Sequence, residues 1–275
     1  MQEQAEERIS RRKRARQIVA ARLEKLEDLS IGRLVPSTLT LFGLCSGATA
    51  VRFALEQDFK GAMAAVVFAA VFDMLDGRAA RLLGADSRFG AQLDSLADLV
   101  SFGIAPAVIM YVWSLSNMGD AGWVAALIFC ACSAIRLARF NVQAARDEGA
   151  TTAHPYFTGL PTPAAACLML FPLLISFQWP AGGELAAMVR EPVVVGITIA
   201  VTSVLMVSKL PTPSIKYMRL QRQHRILAGL AFAGVGGALI AWPWATLTIG
   251  LLIYVGSIPL AILLSHPRHE TKPAA

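Results

Sequence analysis

The chain has 275 residues, of which 55% are apolar and 16% charged, with a mean hydropathy of +0.54 and a formal net charge of +6. Soluble domains carry about 45–50% apolar and about 25% charged residues, so an apolar surplus here goes with a deficit of charge. That combination excludes disorder, a disulfide scaffold and a soluble two-domain enzyme; it predicts an all-α, polytopic integral membrane protein.

In chain order, residues 1–34 form a basic segment rich in arginine and lysine. Within 9–30, Ile18, Val19, Leu23, Leu26 and Leu29 share one helical face, opposite Arg14, Arg22 and Lys25. This pattern predicts an amphipathic helix on an anionic cytoplasmic leaflet; the alternative is a solvated basic tail that only sets topology. The segment lacks the apolar stretch of a secretory signal. No basic groove with interleaved aromatics is present, which argues against a nucleic-acid partner.

Apolar runs then fall near 35–55, 61–76, 97–115, 122–140, 161–179, 192–208, 226–242 and 245–264, predicting about eight transmembrane helices. Pro161 and Pro163 are placed to open the fifth run and Pro172 to kink it. With eight spans and both termini cytoplasmic, all of the 25 Lys and Arg except Arg52, Lys60 and Arg190 lie on one side. A seven-span arrangement destroys that alternation. Cys45, Cys130, Cys132 and Cys167 all sit in apolar runs and read as small buried hydrophobes with no disulfide. Trp113, Trp123, Trp179, Trp242 and Trp244 read as an interfacial belt, and His154 as a solvated loop residue.

Four aspartates interrupt this apolar pattern. Asp73 and Asp76, at i and i+3, end the second run; Asp94 and Asp98, at i and i+4, precede the third. Each pair shares a helical face, and a short loop makes the two helices antiparallel neighbours, so the four carboxylates converge at one membrane boundary. Charges in such a place are costly and commonly functional. Clustered carboxylates repel, and protonation, cationic partners or metal ions must relieve them. Hard oxygen donors suit Mg²⁺ or Mn²⁺, and such a cluster can hold two ions for phosphoryl transfer. Two alternatives remain at this point: loop salt bridges to Arg78, Arg81 or Arg88, or an ion path in a cation transporter. Gly77, Ala79, Ala80, Gly84 and Gly90 leave room for a flat group or a diphosphate to approach the backbone, and Arg81 is placed to meet a phosphate.

Written out, the segment is Asp73-x-x-Asp76-Gly77-x-x-Ala80-Arg81, eight residues, then Gly90-x-x-x-Asp94-x-x-x-Asp98. It resembles the signature of the CDP-alcohol phosphotransferase family at every fixed residue and gap. The resemblance implies metal-dependent transfer of a phosphatidyl group from a CDP-lipid to an alcohol, with release of CMP. It implies that Asp73, Asp76, Asp94 and Asp98 hold two divalent ions, Mg²⁺ or Mn²⁺, and that Asp98 deprotonates the attacking hydroxyl. Asp76, Gly77, Ala80, Arg81 and Gly90 would contact the CDP group, joined by Thr40 from a Pro36-Ser37-Thr38-Leu39-Thr40 stretch. That stretch departs from the family's Pro-Asn-x-x-Thr at Ser37.

The acceptor is read from the end of the fourth run, Ser133-Ala134-Ile135-Arg136-Leu137-Ala138-Arg139-Phe140-Asn141. Arg136 and Arg139 lie at i and i+3, placed either to clamp a carboxylate or phosphate or to snorkel as topology determinants. The segment resembles the Arg-x-x-Arg-Phe-Asn stretch of the family's phosphatidylserine synthase branch, as does the run from Phe157 to Ala166. That likeness implies CDP-diacylglycerol and L-serine as substrates, Arg136 and Arg139 on the serine carboxylate, and Ser133 and Asn141 as polar helpers. Glycerol 3-phosphate or inositol phosphate would also suit two arginines. By the same likeness the chain is a homodimer. Its organisation is expected as a basic segment 1–34, a six-helix core 35–208, a cytoplasmic loop with two added helices over 209–265 and a tail 266–275, in the cell's inner or plasma membrane with a cytoplasmic active site.

Overall fold

The structure, a computed structural model, describes residues 31–85, 87–147, 157–158, 160–179, 183–208, 211–212 and 234–264. The expected amphipathic helix, His154 and much of the seventh run lie outside these residues. Apart from one pair of two-residue strands, Phe157–Thr158 and Pro211–Thr212, the described chain is helical.

Helix α1 (Ile31–Leu55) and helix α2 (Phe59–Leu83) form an antiparallel hairpin. The connection is tight: Gln57 sits at φ 60°, and Asp58 caps α2 by accepting from the Gly61 N–H at 3.0 Å. Ala50, Ala54, Ala62, Ala65 and Ala69 are buried in the core, and the Ser46 hydroxyl donates across to the Ala65 carbonyl at 2.8 Å. Small residues with an interhelical hydrogen bond are how helices associate where apolar burial alone gives no preference.

The second run was expected to end at 76 and the third to begin at 97, but both helices are longer. Ala79, Ala80, Leu82 and Leu83 are good helix formers and carry α2 on until Gly84, which at φ 58° returns its N–H to the Ala80 carbonyl. Ser87 then caps α3 (Arg88–Asp98) by accepting from the Gly90 N–H at 3.0 Å. All four aspartates therefore stand within helices, not in the loop between them.

Helix α3 continues through a π turn (Leu99–Ile104) into α4 (Ala105–Trp113), one rod of 26 residues. Pro106 supplies the reason for the wide turn. It has no N–H to offer the Phe102 carbonyl four residues back, and one residue earlier the Ala105 N–H reaches five residues back to the Val100 carbonyl. The π turn packs on α1 where the latter carries Gly43 and Gly47. A Cβ on Gly47 would come within 2.7 Å of the Ser101 Cα, and the Ser101 hydroxyl donates to the Gly43 carbonyl at 3.2 Å.

Helix α5 (Asp120–Asp147) packs against the π turn and α4 on one side and α9 on another. The fifth run breaks as its prolines require, into α6 (Thr162–Met169) and α7 (Phe171–Ser176), with Pro172 opening the second piece. Helices α8 (Glu184–Arg190) and α9 (Pro192–Val207) meet at a 54° bend, and α10 (Pro243–Leu264) follows a short helical stretch over 234–241. Phe102, Phe129, Ile109, Met110, Met169, Leu173 and Ile199 fill the interior.

Among the described residues, three helices are long and apolar enough to cross a membrane, within Leu34–Leu55, Arg88–Trp113 and Asp120–Ala145, and a fourth if α8 and α9 count as one. Helix α2 is as long but carries Lys60, Asp73, Asp76, Arg78 and Arg81. Large apolar side chains face outward in stripes, such as Val193, Ile197, Val201 and Val204 on α9, and Val124, Leu127, Ile128 and Ile135 on α5. Water would penalise such faces at about 25 cal/mol per Å². Hydrocarbon does not, and the chain is a polytopic membrane protein.

Two residue readings change. Cys45 and Cys167 are exposed on outward helix faces and Cys130 and Cys132 are half-buried, because an apolar exterior accepts a cysteine as readily as a core. Trp113 is buried with Arg190 5.9 Å from its ring centroid, so it belongs to the packed interior and not to a belt.

Candidate active site

Asp73 and Asp76 project from α2 and Asp94 from α3, so that one carboxylate oxygen of each lies within 4.8 Å of the others. Asp76 is buried at 5% exposure and the other two are half-buried. The Thr40 hydroxyl reaches from α1 and donates to Asp76 Oδ2 at 2.6 Å. Three carboxylates this close, partly withdrawn from water, repel one another far more than they would in solvent. An all-oxygen donor set of this charge fits a hard divalent cation, and among the described residues it is the group that could hold one. Asp98 stands one turn further along α3, at the entrance to the π turn and outside the triplet. It faces the charges of Asp73, Asp94, Asp76 and Arg136.

Beside the triplet lies a cavity of about 670 Å³. Pro36, Ser37 and Thr40 line it from α1, and Asp76, Gly77, Ala80 and Arg81 from α2. The α2–α3 connection contributes Ala85 and Ser87, α3 contributes Arg88, Gly90, Ala91, Gln92 and Asp94, and the end of α5 contributes Asn141, Ala144 and Ala145. All six residues expected at the CDP group are on this wall. A Cβ on Gly77 would meet nothing within 4 Å, so that glycine is not needed for helix packing and its small size keeps the space open. The cavity wall carries both signs of charge: Asp76 and Asp94 line it together with Arg81, Arg88 and the amino-terminal turn of α3. The Arg81 Nε is committed to the Gly77 carbonyl at 2.8 Å, which fixes the stem of that guanidinium along α2.

The four residues expected at the acceptor are dispersed. Asn141 lines the cavity, accepting from the Ser95 hydroxyl at 3.0 Å and donating to Gln92 Oε1 at 3.5 Å. Arg136, half-buried, donates from Nη1 to the Thr162 hydroxyl and faces Asp98. Arg139 is exposed and donates from Nη1 to the Val207 carbonyl, 3.1 Å away at the end of α9. Ser133 is fully buried against the π turn, where a Cβ on Gly103 would come within 2.9 Å of its hydroxyl.

Gln92, Ser95, Arg88 and Thr162 were not foreseen as site residues. The first three lie in the unspecified gaps of the aspartate motif, where helical spacing from Asp94 offered a signal for Gln92 and Ser95. Thr162, far from the aspartates in sequence, was marked only by its place between Pro161 and Pro163 in the 157–166 run, which gave it no individual role.

The bundle is thus of one class: membrane helices that gather acidic, metal-competent side chains around a polar cavity of head-group size. Residues 33–207 match the sequence profile of CDP-alcohol phosphatidyltransferase, and the chain belongs to that family. It is 36% identical over 242 residues to the CDP-diacylglycerol–serine O-phosphatidyltransferase of Mycobacterium leprae (strain TN), covering 86% of this chain and 78% of that protein. The protein of the same name from Mycobacterium tuberculosis (strain ATCC 25618 / H37Rv) is also 36% identical, with 82% of it covered. That of Bacillus subtilis (strain 168) is 31% identical over 183 residues, 66% of this chain and 91% of the relative.

Proposed function

We propose that this chain transfers the phosphatidyl group of CDP-diacylglycerol to the hydroxyl of L-serine, giving phosphatidylserine and CMP. The observation that carries the reading is the meeting of six of the eight fixed residues of the aspartate motif on the wall of one cavity, with Asp73 beside them in the carboxylate triplet, in a chain whose relatives bear that activity in their names. Family membership replaces the cation-transporter reading.

In this reading Asp73, Asp76 and Asp94, with Asp98 adjoining, hold two divalent ions, Mg²⁺ or Mn²⁺. Bound there, the ions neutralise the diphosphate and stabilise CMP as the leaving group. Thr40 keeps Asp76 oriented. Gly77, Ala80 and Gly90 give the cytidine its space, and Arg81 with the α3 amino-terminus meets the diphosphate. Asp98 takes the serine hydroxyl proton as the oxygen–phosphorus bond forms and the bond to CMP breaks, a job for a carboxylate because a neutral hydroxyl is a weak nucleophile. Arg136 receives the serine carboxylate, with Ser133 behind it and Asn141 at the cavity wall; Arg139, expected beside Arg136, is engaged with α9.

The same reading carries eight spans, the core at 35–208, an interfacial helix over 9–30, a homodimer, and both termini and the site on the cytoplasmic side. The lipid then keeps its acyl chains in the leaflet while its head group enters sideways. The test is CMP release by purified protein supplied with CDP-diacylglycerol and Mn²⁺ or Mg²⁺, with L-serine, glycerol 3-phosphate or inositol phosphate as acceptor. Serine-dependent release is expected, and Asp98→Asn is expected to lower it by about 10²–10⁴-fold. Release with a phosphorylated alcohol and not with serine overturns the acceptor.

A further inference from the structure

We infer that Thr162 is a positioning residue: its hydroxyl holds Arg136 in one orientation, and this contact makes the site prefer an alcohol that carries a carboxylate. The inference rests on the proposed serine-using reading and goes beyond it by naming what orients the recognising arginine.

Thr162 and Arg136 are 26 residues apart on different helices, yet the Arg136 Nη1 donates directly to the Thr162 Oγ1. Thr162 is 0% exposed, so solvent does not compete for that hydroxyl. Its direction is set three times over. Pro161 caps α6 and Pro163 occupies its first turn, both with restricted backbone angles. The preceding Leu160 N–H bonds the Leu205 carbonyl at 3.5 Å, tying the start of α6 to α9. Threonine, branched at Cβ, has few side-chain rotamers to choose from.

The neighbouring arginine supplies the contrast. Arg139 spends its guanidinium on a terminal carbonyl of α9, where a cation closes a helix end. Arg136 instead donates to a neutral hydroxyl and lies near enough to Asp98 for its charge to act there. A long arginine side chain has many rotamers, and a guanidinium recognises a carboxylate only in a narrow range of orientations. Removing the hydroxyl takes away the contact that orients the Arg136 Nη1, and discrimination for the carboxylate is lost before the CDP-lipid site is touched.

The experiment measures kcat and the KM of each substrate for wild type, Thr162→Val and Thr162→Ser, with thermal unfolding alongside. L-Serine is compared with serinol, which has the hydroxyl and the amine but no carboxylate. Loss of a hydrogen bond to a charged group is expected to raise the serine KM about ten- to hundredfold in Thr162→Val, with the KM for CDP-diacylglycerol unchanged. The preference for serine over serinol falls by the same factor, and Thr162→Ser restores it. Should Thr162→Val fail to fold, Thr162→Cys keeps the volume with a weak acceptor and is expected to show the same split. Equal loss against both substrates, or an unchanged serine-to-serinol ratio, overturns the inference and leaves the proposed function standing. A wild type that turns over glycerol 3-phosphate and not serine overturns both.

Discussion

The chemistry of the site turns on carboxylates that the apolar surroundings make expensive. Asp76 is the most buried of them, and the Thr40 hydroxyl 2.6 Å away is its partner from another helix. Thr40→Val removes the one side-chain donor of the two hydrogen bonds on that carboxylate, the other coming from the Gly77 backbone, and losing a hydrogen bond to a buried charged group costs about 1–3 kcal/mol. The variant is expected to melt at a lower temperature and, at subsaturating CDP-diacylglycerol, to release CMP about tenfold more slowly. A proportionate loss with no change in melting would show that Thr40 acts on the substrate alone. Chelation with EDTA is expected to abolish turnover and added Mn²⁺ or Mg²⁺ to restore it, because three clustered carboxylates repel an anionic diphosphate unless a cation stands between them. These residues were legible in the sequence, since carboxylates at i, i+3 and i, i+4 in apolar runs have little reason to exist except as ligands. Thr162 was not, because what marks it is a contact with Arg136 that no local spacing encodes.

Among the elements, the π turn joins the fold to the site. It begins at the residue after Asp98, and Ser101 within it touches α1 so closely that Gly47 has no room for a Cβ. Gly47→Ala is expected to destabilise the protein by about 1–3 kcal/mol through overpacking. It should also depress activity more than its melting temperature explains, because the displaced turn carries Asp98 with it. Thermal unfolding and CMP release, measured on the same preparation, separate the two effects. Arg139→Gln is expected to lower stability by about 0.3–1 kcal/mol, the worth of a cation at a helix end, read in the same unfolding assay. Element limits were less legible than element positions. Hydropathy marks where a helix meets lipid, not where its hydrogen bonds end, so α2 runs past Asp76 to Gly84 and α5 runs on to place Ala144 and Ala145 on the cavity wall.

At the scale of the whole molecule, outward apolar stripes and inward polar groups set the protein in a bilayer with its cavity towards one end of the helices. Fusion reporters at either terminus, or in the segment 209–225, are expected to read out as cytoplasmic, and a reporter inserted at 116–119 as external. A terminus on the opposite face would overturn the eight-span arrangement. Length, apolar content and its grouping in long runs pointed to membrane helices, because runs of about 20 apolar residues suit hydrocarbon better than water. The aspartate motif was enough to indicate the chemistry, because helical periodicity brings its members onto facing surfaces whatever surrounds them. Which groups then share one space was settled by packing. The α6 start between two prolines and the end of α9 separate Arg136 from Arg139, although three residues of helix put them on one face. Side chains on a common face still find different partners when the helices opposite present a hydroxyl to one and a terminal carbonyl to the other, and those partners come from distant parts of the chain.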